Sequence, residues 1–479
     1  MESLVAELRA LVGTDHVLTD EHRRRTYESD GLLQYAVTPG VVVLPGSAEE
    51  VAAVVTACHR AGVPFVARGA GSGLSGGALP VADGVLIALS RMRRILAVDI
   101  ENQRVVAEPG VTNLAISQAV GPTHFYPPDP SSQVVCSIGG NVAENSGGAH
   151  CFKYGFTTNY VTGLDVVLPD GSAVSLGGME LDPPGYDLVG AFVGSEGTLG
   201  VATAITLRVV PKPESVQTLV AFFDSTAAAG EVVSAVVASG MVPGAIEMMD
   251  NLSIRAAEAH TGAGYPLDAG AALIVELDGP AAECEARFEQ VVALCGAATG
   301  VRVAGDEQER ELIWRARKAA FAAMGRVAPN YYVQDSVIPR TRLPQVLERI
   351  EELSRSYGLR VANVFHAGDG NLHPLVCYDG RVDGEPERAE ELAGLIVKAC
   401  VELGGSITGE HGVGVDKKHH MPAMFGEQDL AAFQKLRCAF DPDQLANPGK
   451  VMPTPRLCGE VPGPYRRHPL EVAGVAERM

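Results

Sequence analysis

One glycine-rich segment, residues 68–77 (Arg-Gly-Ala-Gly-Ser-Gly-Leu-Ser-Gly-Gly), constrains the fold more than any other and follows an apolar run at residues 63–67. Five of its ten residues are glycine, so backbone N–H groups can converge on an anion without Cβ atoms in the way. It lacks the Gly-Lys-Ser/Thr ending of a P-loop, and no obvious helix follows it as in a Rossmann fingerprint. Taken alone, the segment fits a mobile surface loop as well as a phosphate-binding loop.

Two further glycine-rich stretches favour the phosphate-binding interpretation. Residues 137–148 (Ser-Ile-Gly-Gly-Asn-Val-Ala-Glu-Asn-Ser-Gly-Gly) and residues 194–200 (Gly-Ser-Glu-Gly-Thr-Leu-Gly) each adjoin an apolar run, at intervals of roughly sixty residues. We therefore predict three anion-binding loops, which together suit one long, bent ligand.

Charge and composition exclude several classes of protein. The formal net charge of −20 argues against a nucleic-acid partner, because phosphate binding there needs clustered Lys and Arg. The apolar runs fall far short of the ~20 residues of a membrane span, and residues 1–13 predict an acidic amphipathic helix rather than a signal peptide. The nine cysteines contain no Cys-x-x-Cys pair, which argues against iron–sulfur ligation and a disulfide framework. We expect a cytoplasmic protein.

The length of 479 residues predicts more than one domain. After a helical lead-in, residues 41–67 read as strand, helix and strand, with Ser47 at the start of the helix and Gly62 at its end. Residues 214–425 alternate strands with helices, a pattern typical of helices packed on one face of an antiparallel sheet, and hence of an α+β fold. We divide the chain into residues 1–213, residues 214–425 and a C-terminal segment, residues 426–479.

Histidines and a glutamate gather in two glycine-bounded turns. The segment Phe-His-Ala-Gly-Asp-Gly-Asn-Leu-His-Pro places His366 and His373 around a turn between two apolar runs, where a hairpin brings the imidazoles together. Glu410 and His411 lie in the loop Thr-Gly-Glu-His-Gly-Val-Gly. Each histidine alone fits a strand end as well as a ligand, but the concentration predicts a divalent-metal site of His366, His373 and Glu410.

Adjacent side chains point in different directions, so Glu410 can bind metal while His411 faces a substrate. A neutral imidazole is a natural general base near pH 7, and we assign that role to His411. Arg317 lies in a short cationic stretch, Trp-Arg-Ala-Arg-Lys, of an otherwise acidic chain. A guanidinium holds a carboxylate in a bidentate fork, so Arg317 is a candidate anchor for one.

These stretches, together with Pro-Pro-Asp-Pro-Ser-Ser at residues 127–132, resemble the FAD-linked D-2-hydroxyacid dehydrogenases. That family includes the glycolate oxidase flavin subunit, D-lactate dehydrogenase and D-2-hydroxyglutarate dehydrogenase, on the vanillyl-alcohol-oxidase fold. The resemblance covers about residues 35–455. It implies a PCMH-type FAD-binding domain at residues 1–213, an α/β cap domain with an antiparallel sheet and the metal site at residues 214–425, and a C-terminal segment that returns to the FAD domain.

The resemblance also implies which residues touch the cofactor. The first glycine-rich segment would hold the FAD pyrophosphate, and the other two would surround the ribityl chain and flavin ring. The implied FAD contacts are Pro45, Arg68, Gly69, Ala70, Gly71, Ser72, Gly73, Leu74, Ser75, Pro128, Asp129, Ser132, Gly139, Gly140, Asn141, Asn145, Gly148, Tyr154, Gly155, Glu196, Gly197 and Asn447.

The implied reaction is oxidation of a 2-hydroxy acid by hydride transfer to flavin N5. Zinc or manganese, held by the two histidines and the glutamate, would position the substrate and lower the pKa of its hydroxyl group. His411 would take the hydroxyl proton, Arg317 would anchor the carboxylate, and Asn371 and Asn447 would lie near the substrate and ring. The first glycine-rich segment contains no histidine for a covalent flavin link, so we expect non-covalent FAD.

Val333 stands where the 2-hydroxyglutarate enzymes place a lysine for a second carboxylate. A small monocarboxylate, glycolate or D-lactate, is therefore the expected substrate. The alternatives are a D-2-hydroxyglutarate-type dehydrogenase, a non-catalytic flavin subunit of an electron-transfer complex, and a metal hydrolase, which would be colourless. The electron acceptor is left open among a quinone, a cytochrome, an electron-transfer flavoprotein and an iron–sulfur subunit. We expect a homodimer or hetero-oligomer, cytoplasmic or held at the membrane periphery through a partner.

Overall fold

The computed structural model describes residues 1–181 and 183–453. Up to residue 213, short strands alternate with short helices. The strands are β1 (Val17–Leu18), β2 (Val41–Val43), β3 (Phe65–Arg68), β4 (Val85–Ala88), β5 (Ile95–Asp99), β6 (Arg104–Ala107), β7 (His124–Phe125), β8 (Val161–Val167), β9 (Ala173–Gly177), β10 (Val201–Arg208) and β11 (Val210–Pro211). The helices are α1 (Glu2–Val12), α2 (Glu21–Arg25), α3 (Ala48–Ala61), α4 (Asn113–Ala119), α5 (Ile138–Glu144), α6 (Cys151–Tyr154) and α7 (Leu188–Phe192).

The predicted strand–helix–strand unit (β2, α3 and β3) is present. In the sheet, a further strand, β4, lies between β2 and β3. Ser47 caps α3 by accepting a hydrogen bond from the Glu50 N–H (3.3 Å), and Gly62 ends the helix with a left-handed backbone (φ 62°). β2 and β3 each run parallel to β4, which separates them in the order β1-β2-β4-β3. The first glycine-rich segment follows β3 directly. A second, antiparallel sheet has the order β5-β6-β10-β8-β9.

The second glycine-rich stretch is largely a helix, so the prediction of an anion-binding loop there is wrong. The Oγ of Ser137 accepts a hydrogen bond from the Gly140 N–H (3.4 Å) at the start of α5. The helix ends at Asn145, whose backbone is left-handed (φ 51°). The capping serine favours a helix start more strongly than two glycines oppose it.

From residue 214 onward the chain builds a larger unit. Its strands are β12 (Ser215–Phe223), β13 (Ala245–Asp250), β14 (Ala271–Gly279), β15 (Gly300–Val303), β16 (Asn330–Val333), β17 (Ser336–Val337), β18 (Val361–His366), β19 (Asn371–Leu372) and β20 (Pro374–Tyr378). Its helices are α8 (Thr226–Ala238), α9 (Asn251–Thr261), α10 (Ala281–Leu294), α11 (Glu307–Ala323), α12 (Leu343–Tyr357) and α13 (Glu385–Glu402), followed by α14 (Met421–Met424) and α15 (Glu427–Phe440).

The strands of this unit pair antiparallel in the order β15-β12-β14-β13-β18-β19-β17, with β20 joining β16 to β18. Helices cover both faces of the sheet, which corrects the expectation of one covered face. Leu219, Ala221 and Phe223 of β12 pack against α8, α10, α12 and α13, whereas Val220 and Phe222 pack against α9 and α11. Successive side chains of a strand point to opposite faces of the sheet. The consecutive apolar residues of β12 therefore bury both faces.

The C-terminal segment runs back to the first sheet. The Phe65 N–H of β3 donates to the Leu445 carbonyl (2.9 Å), and the Asn447 N–H donates to the Phe65 carbonyl (2.8 Å). The division of the chain at residues 213 and 425 stays a prediction. Within residues 1–181 and 183–453, we find no helix long and apolar enough to cross a membrane.

Candidate active site

A cavity of about 600 Å³ lies between the first glycine-rich loop and the large sheet. It is lined by the loop after β3, by α5, by β16, and by His373 and the Glu410–His411 loop. Many of the predicted cofactor contacts line it: Arg68, Gly69, Ala70, Gly71, Ser72, Gly73, Leu74, Ser132, Gly139, Gly140, Asn141, Glu196 and Gly197.

The loop after β3 offers hydrogen-bond donors to this cavity. Among the described residues, no protein acceptor is recorded for the N–H groups of residues 71–75, whereas the Ala70 N–H donates to Ser137 Oγ (3.2 Å). Gly71 has a left-handed backbone (φ 68°), and a Cβ there would collide with the Arg68 guanidinium. A run of unpaired N–H groups fits the pyrophosphate of FAD, because such groups bind anions.

Other predicted cofactor contacts do not line the cavity, and the side chains of two of them bind elsewhere in the protein. Asp129 pairs with His150 (2.9 Å), and Tyr154 donates its hydroxyl to Asp278. The Tyr154 bond joins α6 to strand β14 of the large sheet. The predicted contacts outside the cavity lining are Pro45, Ser75, Pro128, Asp129, Asn145, Gly148, Tyr154, Gly155 and Asn447.

The third glycine-rich stretch, residues 194–200, contacts the Glu410–His411 loop through the carboxylate of Glu196. Glu196 accepts hydrogen bonds from the N–H groups of Val413 (2.7 Å) and Gly414 (2.6 Å), and so holds the loop that carries His411. Burial raises the pKa of Glu196 to about 7. Asn447 links the same region, because its Nδ2 donates to the carbonyls of Gly77 (2.8 Å) and Glu196 (2.6 Å).

The predicted metal ligands converge. β18 and β19 pair at His366 and Asn371, which places the two histidine rings 5.1 Å apart. The Nε2 atoms of His366 and His373 each lie 3.3 Å from Glu410 Oε1. The three ligand atoms lie within 4.8 Å of one another, and within residues 1–181 and 183–453 neither ring nitrogen of His373 has a partner in hydrogen-bond geometry. Two His and one Glu with an unused imidazole lone pair fit a divalent metal such as zinc.

Asp335 fixes the loop that carries Glu410 and His411. Its buried carboxylate accepts hydrogen bonds from the N–H groups of Gly409 (2.9 Å) and His411 (3.0 Å) and from Asn371 Nδ2 (2.7 Å). Lys417, also buried, lies 3.3 Å away. Burial by itself raises the pKa of Asp335, but Lys417 and the neighbouring histidines hold that pKa well below its usual range. Asn371, predicted to touch substrate, therefore holds Asp335.

His411 stacks on His373, with the ring planes 2° apart and the centroids separated by 4.9 Å. It lines the cavity beside Glu410. Burial lowers the pKa of His411 to about 4, against the attraction of Asp335, so the ring is neutral at pH 7. Its Nδ1 has no hydrogen-bond partner among the described residues.

Arg317 is buried on α11 and does not line the cavity. Its Nη2 lies 2.6 Å from Glu247 Oε2, and its Nε has no hydrogen-bond acceptor among the described residues. The Phe321 ring, which does line the cavity, lies 6.0 Å from the guanidinium carbon and 5.8 Å from the His373 ring. Arg317, predicted to anchor a substrate carboxylate, thus lies beside a carboxylate of the protein itself, that of Glu247.

Family comparison identifies the two parts of the chain. Residues 39–177 match the model of an FAD binding domain, and residues 212–451 match that of the C-terminal domain of FAD linked oxidases. The chain belongs to the FAD-linked oxidase family. This FAD-linked oxidase is 50% identical to the glycolate oxidase subunit GlcD of Escherichia coli, over 97% of its own length and 94% of the relative's. It is 33% identical to a D-lactate dehydrogenase of Anaerostipes hadrus, over 92% and 95% of the two chains.

Solved structures establish the fold of the FAD-linked oxidase. Its chain superimposes on p-cresol methylhydroxylase with a TM-score of 0.79 at 18% identity, covering 94% of this chain and 96% of that one. The 4-ethylphenol oxidase of Gulosibacter chungangensis gives 0.78 at 19% identity, covering 95% and 97%. The predicted α+β fold of vanillyl-alcohol-oxidase type is confirmed.

The sequence analysis missed three carboxylates of the FAD-linked oxidase, of which Asp335 and Glu247 are buried and Glu144 is half-buried. Asp335 holds the Glu410–His411 loop, Glu247 contacts His366 (2.7 Å), and Glu144 lines the cavity. Burial raises the pKa of Glu144 well above its usual range. The available signal was the same for Glu247 and Asp335: a single acidic residue inside or beside an apolar strand, which is costly unless it is paired.

Proposed function

We propose that this protein oxidises a small D-2-hydroxy acid, glycolate or D-lactate, to the 2-oxo acid with FAD as the hydride acceptor. The observation that carries the proposal is that His373, Glu410 and His411 line the same cavity as the glycine-rich loop, with His366 converging on His373 and Glu410. The 50% identity to a protein named as a glycolate oxidase subunit supports the same reaction.

The cavity residues divide the work of holding the cofactor. The unpaired N–H groups of residues 71–75 would bind the pyrophosphate, and Gly139, Gly140 and Gly197 leave room for the rest of the molecule. The binding is non-covalent, because the loop contains no histidine. When bound, FAD supplies the acceptor for the hydride.

His366, His373 and Glu410 would hold a divalent metal, zinc or manganese. Such an ion lowers the pKa of a substrate hydroxyl and fixes its orientation. His411, a neutral imidazole lining the cavity beside Glu410, takes the hydroxyl proton. The Nε of Arg317 has no acceptor in the part of the chain that the structure describes, and Arg317 is proposed to attract the substrate carboxylate.

The cavity wall beside the metal site favours a small substrate. Phe321 and Val333 line it, and neither can pair with a second carboxylate. A second carboxylate placed against these two side chains would have no charge partner in them, which is unfavourable. We therefore place glycolate and D-lactate ahead of D-2-hydroxyglutarate.

The electrons must leave the flavin to an acceptor. We propose a quinone, a cytochrome, an electron-transfer flavoprotein or an iron–sulfur subunit, acting in the cytoplasm or at the membrane periphery. The word subunit in the name of the E. coli relative supports a hetero-oligomer.

The test is anaerobic bleaching of the flavin in the purified protein. Glycolate, D-lactate, L-lactate and D-2-hydroxyglutarate are added separately, with and without a chelator. Rapid bleaching by glycolate or D-lactate that the chelator abolishes is the expected result. Bleaching by D-2-hydroxyglutarate alone would assign the larger substrate, and no bleaching would favour a non-catalytic flavin subunit. His411→Ala should retain FAD and lose bleaching, whereas His419→Ala, at an exposed position, should match the wild type.

A further inference from the structure

The carboxylate of Glu247 lies directly behind the candidate metal ligand His366. The two residues face each other across the β13–β18 pair, and Glu247 Oε1 lies 2.7 Å from His366 Nδ1. Glu247 is 0% exposed and His366 is 5% exposed. This contact is therefore buried, and the register of the two strands brings the side chains together.

The contact determines which nitrogen of His366 can bind a metal. A neutral imidazole donates from one nitrogen and offers a lone pair at the other. Because the Glu247 carboxylate only accepts hydrogen bonds, it keeps the proton on Nδ1. Nε2, which lies 3.3 Å from Glu410, is then the free lone pair facing the other candidate ligands.

The second oxygen of the Glu247 carboxylate faces Arg317, whose Nη2 lies 2.6 Å from Glu247 Oε2. Arg317 is 2% exposed, so water screens the pair little. The carboxylate of Glu247 is therefore held between Arg317 on one side and His366 on the other.

We propose that Glu247, held by Arg317, is a positioning residue for the metal site: it fixes His366 in the tautomer that presents Nε2 to the metal. The inference rests on the proposed function in taking His366, His373 and Glu410 as the ligands. It also explains why a lone glutamate lies in the apolar strand β13, whose other residues are buried or half-buried and mostly apolar.

The test measures metal affinity rather than turnover. The FAD-containing full-length protein is stripped with a chelator, and its affinity for Zn²⁺ is measured by competition with a chromophoric chelator. Glu247→Gln should raise the Kd for Zn²⁺ by about 10–100-fold, the usual effect of losing a partner of a metal-bound histidine. Glu247→Asp keeps the charge facing Arg317 but withdraws the carboxylate, and should raise the Kd less.

Glu276→Gln is the matched control. Glu276 is a buried carboxylate on the adjacent strand β14, and it pairs with Arg310 (2.9 Å) and His150 (3.2 Å) without contacting the metal ligands. It should lower the unfolding temperature and leave the Kd for Zn²⁺ unchanged, which separates positioning of His366 from general damage to the sheet.

Each outcome decides the inference. A Kd within twofold of wild type in a Glu247 variant that retains FAD would overturn it, and so would failure of both variants to retain FAD, which would assign Glu247 to the fold alone. If the wild type binds no Zn²⁺, the inference and the metal part of the proposed function both fail. If Zn²⁺ binding weakens as expected but no hydroxy acid bleaches the flavin, only the proposed function fails.

Discussion

Replacing Asp335 with Asn should both destabilise the large unit and slow the reaction, because one buried carboxylate serves the fold and the site together. It accepts hydrogen bonds from the N–H groups of Gly409 (2.9 Å) and His411 (3.0 Å) and from Thr408 Oγ1 (2.6 Å). Asn has nearly the same shape, but it carries no charge and turns an NH₂ group toward donors. Lys417, 1% exposed, loses its charge partner.

The magnitude follows from that burial. Removing one partner of a buried ion pair costs about 3–5 kcal/mol, because the other charge is left unpaired. For a unit of 150–250 residues, each kcal/mol shifts the unfolding temperature by about 2–4 °C, so we expect a fall on the order of 10 °C. The loop carrying His411 also loses its anchor, and a misplacement of about 1 Å can slow a reaction on the order of 100-fold.

Two assays follow the two effects. Thermal unfolding monitored by circular dichroism gives the stability change, and anaerobic flavin bleaching by the substrate gives the rate. Glu283→Gln, which removes an exposed pair with Arg287, is the control and should change neither measurement. An Asp335→Asn protein with the wild-type unfolding temperature and rate would refute the assignment of Asp335 as the anchor.

Three further outcomes are expected. Gly147→Ala should weaken Zn²⁺ binding in the chelator competition, since the Cβ of the new alanine would lie 2.7 Å from Glu410 Oε2. An unchanged Kd for Zn²⁺ would contradict this expectation. Gly71→Ala should lower the ratio of flavin to protein absorbance, whereas Gly121→Ala, with a similar φ (71°) and open space around it, should not. Burial disfavours the charged form of His150, but two neighbouring carboxylates raise its pKa to about 10. The stabilisation that the charged ring gives the folded protein is therefore complete below about pH 6.5 and is lost as pH rises through 10. The difference in unfolding temperature between wild type and His150→Gln should therefore shrink from pH 6 to pH 10; a constant difference would exclude this ion pair.

Local sequence signals predicted the parts of the fold that local physics decides. Ser47 and Gly62 bounded α3 correctly, since a capping hydroxyl and a left-handed glycine act within one turn of the helix. The first glycine-rich segment likewise predicted N–H groups available to an anion, because the conformational freedom of glycine is also a local property. The same local approach failed at residues 138–144, where the glycines were taken to indicate a loop although the Ser137 cap starts a helix.

The sequence by itself determined the family and the fold type, and it predicted a set of site residues, because glycine loops, paired histidines and an adjacent glutamate and histidine are each contiguous signals. Only the tertiary structure decided how those residues are held. Glu247 and His366 are separated by 119 positions, yet strand pairing makes them neighbours. Asp335 likewise reaches a loop more than 70 positions away. Such contacts depend on strand register and on the pairing of buried charges, which involve the whole sheet and leave no periodic trace in the sequence.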